Sequence, residues 1–121
     1  MSKVRLVALA AAVAAFSTPT AAHHGWSGYL DEEFALAGTV ESARLSGPHG
    51  VLRVRSGRAV WEVVLAPPPR ISRAGLTAEA VPRGTRVRAE GHRHRDPERL
   101  EMKTERLVIG NRTFDLYPER S

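Results

Sequence analysis

Three consecutive prolines, Pro67, Pro68 and Pro69, sit mid-chain and limit what it can fold into. Proline donates no backbone hydrogen bond and disfavours helix in the residue before it, so a strand has to stop there, yet it suits a first helical turn. The prolines therefore predict a strand ending near Leu65, a short helix over Arg70 to Gly75 and a further turn over Thr77 to Val81.

The segments on either side carry strand periodicity. Ala35 to Leu45 places Leu36, Gly38 and Val40 on one face, with a bend near Ser42 and Ala43. Ser46-Gly47-Pro48-His49-Gly50 breaks it and leaves His49 on a loop tip. Val51 to Ser56 alternates Arg53 and Arg55 against Leu52 and Val54; after the tight Ser56-Gly57-Arg58 turn, Ala59 to Leu65 is apolar enough to be central in a sheet. Beyond the prolines, Pro82 to Thr85 launches Arg86 to His94, with Val87, Ala89 and Gly91 facing one way and Arg86, Arg88, Glu90, His92 and His94 the other. Leu100 to Ile109 puts Leu100, Met102, Thr104, Arg106 and Val108 on one side, and Gly110-Asn111 turns the chain into Thr113 to Tyr117. Three strands, a helical connection and two or three more strands predict a mainly β fold, a small five- to six-stranded OB-like barrel with its short helix between the third and fourth strands; a small sandwich is the rival.

The chain begins like an exported one. Lys3 and Arg5 form a basic start, Leu6 to Phe16 an apolar core and Ser17 to Ala22 a small-residue end, as in a signal peptide. Eleven apolar residues are too few for the roughly 20 that a bilayer requires, so no membrane span is expected once the signal is removed. Cleavage after Ala22 fits the small-residue subsites better than cleavage after Ala21. The expected organisation is a signal peptide over 1–22, an arm over 23–34 pinned by Trp26, Tyr29 and Phe34, an OB-like barrel over 35–117 and a tail over 118–121. The expected location is the periplasm.

Charge and cysteine content narrow the function. Loss of Lys3 and Arg5 lowers the formal net charge from +5 to +3, with Lys103 the one remaining lysine and acids interspersed among the arginines. That is a poor footprint for nucleic acid. There is no cysteine, so a transition-metal site has to use His, Asp, Glu, Met or the terminal amine.

The candidate ligands are therefore the five histidines. Cutting after Ala22 makes His23 terminal, able to offer its amine and ring nitrogen to one ion, with His24 or His49 adding an imidazole. Such a nitrogen set suits Cu(II), which tops the divalent affinity order. Paired histidines beside a new terminus are also a common accident, and no spacing sets an acidic ligand beside them. His92 and His94, two apart on one strand face, form an alternative pair, although Arg93 and Arg95 flank them with like charge. No nucleophile with an activating base and no HExxH or phosphate-cradling pattern is present, which argues against an enzyme.

Several short motifs occur in a recognisable order: Ala22-His23-His24-Gly25-Trp26, Gly38-Thr39-Val40, Gly47-Pro48-His49, Trp61-Glu62, Arg73-Ala74-Gly75 and Pro82-Arg83-Gly84-Thr85-Arg86-Val87. Together they resemble a family of small exported proteobacterial proteins of unknown function, whose mature start reads Ala-His-His-aromatic and whose loop reads Asn-Pro-His. Gly47 departs from that loop's asparagine. The resemblance implies export and a histidine at position 49, and carries no activity with it. Two functions remain: a periplasmic module binding copper or another transition metal through His23, His24 and His49, and a metal-free module binding a protein partner or a small anionic ligand, the latter through Arg53, Arg55, Arg86 and Arg88.

Overall fold

The computed structural model of the protein describes residues 25–120; the expected signal peptide over 1–22, together with His23 and His24, lies outside the described residues. Six strands follow in order: β1 Phe34–Arg44, β2 Val51–Ser56, β3 Ala59–Val64, β4 Arg86–Arg93, β5 Glu101–Ile109 and β6 Arg112–Asp115. Between β3 and β4 lie helix α1, Pro68–Arg73, and a 3₁₀ turn, Ala78–Ala80. A second 3₁₀ turn, Pro118–Arg120, closes the described chain.

Strand β1 is the curved wall of the barrel. Its first half pairs with β4, Phe34 opposite Gly91 to Thr39 opposite Arg86, and its second half with β2, Thr39 opposite Arg55 to Arg44 opposite Val51. A register shift between Val40 and Ser42 lets one strand serve two neighbours, at the bend expected from the sequence. The sheet runs β3-β2-β1-β4-β5-β6, and β3 closes onto β5 in parallel through Glu62, Val63 and Val64 opposite Glu101, Met102 and Lys103. Closure of five strands satisfies the edges, and β6 extends β5 beyond the barrel as the expected OB-like fold allows.

The interior is filled by residues of the five barrel strands, Leu36 and Val40, Leu52 and Val54, Trp61 and Val63, Val87 and Ala89, Met102 and Leu107, all buried. Helix α1 starts two residues earlier than expected because Pro68 and Pro69 occupy its first two positions, where a missing N–H costs nothing. Its Ile71 is buried, with Leu76 and Val81 beyond it. No helix among the described residues is long and apolar enough to cross a membrane.

Two expectations about strands need correction. Only Met102 and Thr104 of the expected β5 face lie inside, since Glu90 pairs with Arg106 but Gly91 with Thr104, leaving Glu105 as the extra residue of a bulge. Past the bulge the alternation inverts, so Leu107 enters the core while Arg106 and Val108 turn outwards. The best-connected strand is β5 rather than β3, because it alone pairs with three others, β3, β4 and β6.

Candidate functional site

Residues Glu101 to Glu105 of β5 are all buried, although every second one points away from the barrel interior. Covering that outer face is the arm before β1, held by an isolated bridge between Tyr29 and His94 and by the Leu30 N–H donating to the Arg93 carbonyl at 2.8 Å. Trp26 is the arm's anchor. Its ring stands edge-on to Tyr117 at 5.0 Å, His92 at 5.6 Å and Tyr29 at 6.5 Å, and it carries two cations, Arg120 at 4.0 Å and Lys103 at 4.7 Å from its centroid. The expectation that aromatics pin the arm is met by Trp26 and Tyr29. Phe34 instead stacks on Trp61 at 5.3 Å, beneath the Arg93 guanidinium.

Tyr29 donates its hydroxyl to Glu101 Oε2 at 2.6 Å, while Arg99 pairs with Oε1 of the same carboxylate at 2.7 Å. Partial burial, reinforced by that carboxylate, pushes the Tyr29 phenol well above its ordinary range.

His92 lies on the outer face of β4 as expected and is almost fully buried. Its Nε2 lies 2.5 Å from Glu105 Oε1 and 3.7 Å from Glu33 Oε1, and its Nδ1 3.0 Å from the Glu32 carbonyl. The ligand atoms of Glu33, His92 and Glu105 all fall within 4.8 Å of one another. Arg120 Nε also reaches Glu105 Oε1 at 3.3 Å, and Arg106 Nη1 approaches Oε2 at 3.7 Å.

His94 has a different environment. Its Nδ1 accepts the Asp96 N–H at 3.0 Å and its ring packs edge-on to Tyr29. The two histidines thus share a strand face but are held by different partners.

His49 occupies the loop between β1 and β2. Partial burial and then the Lys103 charge hold its imidazole below the ordinary histidine range, which favours the neutral, ligating form at neutral pH. Lys103 Nζ donates to the Gly25 carbonyl at 2.7 Å. Burial, followed by the Arg120 and Arg70 charges, lowers the Lys103 ammonium's own pKa. Gly25 directly follows His24 in the sequence, so Lys103 fixes the chain one residue beyond the expected histidine pair.

Among the arginines expected to face an anionic ligand, all four are exposed. Arg55 pairs with Glu41 at 2.5 Å and Arg88 with Glu90 at 3.2 Å. Burial alone would raise the Glu90 pKa, but hydrogen bonds from Arg88 and Arg106 more than offset it and lower it. Arg53 lines an open concavity of about 290 Å³ with Ser42, Ala43, Arg44, Val51 and Glu62.

Sequence reasoning missed Glu33 and Glu105 as neighbours of His92, and Lys103 as the anchor of Gly25. The acidic run Asp31 to Glu33 was the one visible signal. Glu105 gave none, because its position beside His92 depends on the bulge.

Among solved structures, the fold is similar to part of asparaginyl-tRNA synthetase from Pyrococcus horikoshii complexed with asparaginyl-adenylate, at 21% identity over 74% of this chain and 22% of that one, with a TM-score of 0.52. It is also similar to the S. pombe Stn1-ten1 complex, at 14% identity over 66% of this chain and 59% of that one, with a TM-score of 0.50. The chain spans less than two thirds of either solved chain, and at these identities the likeness concerns the fold. No curated protein matches the sequence. A family model does match, over residues 10–103, and the chain belongs to that family of unknown function, DUF6152.

Proposed function

We propose that the protein is an exported, non-enzymatic periplasmic module that binds copper through His23 and His24, with His49 as a further ligand. The observation that carries this reading is the Lys103–Gly25 hydrogen bond, which fixes the residue after His24 beside the ammonium that also acts on His49; that charge opposes a cation, and ligation by the imidazoles has to outweigh it. His23 and His24 directly precede Gly25 in the sequence. A neutral His49 supports ligation, and an amine with imidazoles and no thiolate suits Cu(II). If processing leaves His23 at the terminus, its amine joins the set.

The test is a titration of the processed chain, its start verified by intact mass, with Cu(II) and Cu(I). One equivalent bound more tightly than by free histidine is expected. His49→Ala should weaken the Cu(II) affinity by about tenfold or more, roughly 1.4 kcal/mol. Absence of stoichiometric binding tighter than free histidine would overturn the proposal.

A second reading, a metal-free module that takes a small anion, is favoured by the concavity that Arg44 and Arg53 line. Glu62, opposite Arg53 across β2 and β3, opposes it electrostatically. Calorimetry with phosphate, with Arg53→Ala as the comparison, tests this reading; no heat of binding would reject it.

A further inference from the structure

We propose that Glu33, His92 and Glu105 form a separate divalent-cation site, of a donor type that fits zinc, on the outer face of β4 and β5. It shares no ligand with the N-terminal histidines and stands or falls without them.

His92 Nδ1 faces the Glu32 carbonyl, which can only accept, so Nδ1 carries a proton. In the neutral ring Nε2 would then present a lone pair to Glu105 Oε1, another acceptor, at 2.5 Å. Two facing acceptors that close require a cation between them, either a proton or a metal ion. A ligating histidine whose other nitrogen donates to a backbone carbonyl is the usual arrangement around protein-bound metals, because that bond fixes the ring and raises its basicity.

At 2.5 Å the His92–Glu105 contact has the length of a hydrogen bond, whereas the wider gap between His92 and Glu33 has room for an ion. Around a tetrahedral zinc with bonds of about 2.1 Å, ligand atoms stand about 3.4 Å apart. His92 Nε2 and Glu33 Oε1, at 3.7 Å, already meet that spacing, and His92 and Glu105 need to open by about 1 Å. Glu105 has room in its bonding for such a turn. Its Oε2 is buried with no hydrogen-bond donor and meets the Arg106 guanidinium at 3.7 Å, so a bound cation would add a direct partner. Two carboxylates and one imidazole balance the dication's charge, and the exposed Glu33 leaves an entry path and a position for water. The competitor is Arg120, whose guanidinium occupies the Glu105 Oε1 edge from the terminal 3₁₀ turn.

The experiment uses the full chain carrying His23→Ala, His24→Ala and His49→Ala, so that failure of the copper reading leaves this one standing. Calorimetric titration with Zn(II) should show one equivalent bound. Adding Glu33→Gln, at an exposed side chain, should lower the affinity about tenfold or more. Adding Arg120→Ala instead should raise it several-fold, a gain that a purely structural ion pair does not produce. Absence of zinc binding in the triple variant, an affinity indifferent to Glu33→Gln, or a loss on Arg120→Ala would each overturn the site.

Discussion

Trp26 and Lys103 show how single residues convert a disorganised-looking arm into structure. Trp26 precedes any regular strand, yet it is 8% exposed and sits between Tyr117, His92 and two cations. Truncating a buried aromatic removes both its burial and its contacts, so Trp26→Ala is expected to cost about 3 kcal/mol, read as a lowered denaturant midpoint. An unchanged midpoint would mean that the arm is held by its hydrogen bonds alone. That aromatics pin the arm was legible in the sequence; that Lys103 would turn inwards to the Gly25 carbonyl was not, because a lysine on a strand face normally points into water.

Strand β5 holds the candidate cation site together through its bulge. The extra residue, Glu105, faces His92 only because Gly91 lets the strands approach closely: a Cβ on Gly91 would lie 2.0 Å from the Lys103 carbonyl oxygen and 2.9 Å from Thr104 Cα. Backbone atoms cannot swing aside as a side-chain tip can. Gly91→Ala is therefore expected to destabilise the fold by about 3 kcal/mol, the upper end of ordinary overpacking, and to disturb the β4–β5 amide protection measured by hydrogen exchange. Strand existence and turn positions were readable from alternation and from Gly and Pro. The β5 faces were misread after Thr104 because a bulge shifts phase by one residue and leaves no local mark in the sequence.

For the molecule as a whole, closure and the covering arm set the titration behaviour. Both tyrosines of the chain, Tyr29 and Tyr117, are held above the ordinary 10.0, first by burial; the Glu101 carboxylate adds to this at Tyr29. A phenol whose folded pKa is raised contributes stability that is present below pH 10.0 and lost as pH rises beyond it. The native protein is expected to show less tyrosinate absorbance at pH 10 than the unfolded chain, which has about half of its phenols ionised there. Two phenols titrating normally in the folded protein would contradict the burial of that face.

The sequence by itself determined the strand segments, the proline-launched helix between β3 and β4, the OB-like class and the family likeness, because these follow from local periodicity and backbone sterics. Only the tertiary structure decided that Glu101 to Glu105 of β5 are buried on both faces, that Glu33, His92 and Glu105 converge, and that Lys103 anchors the arm near His49. Those contacts join residues far apart in the chain through a bulge and barrel closure, and burial turns ordinary surface charges into partners that must satisfy one another.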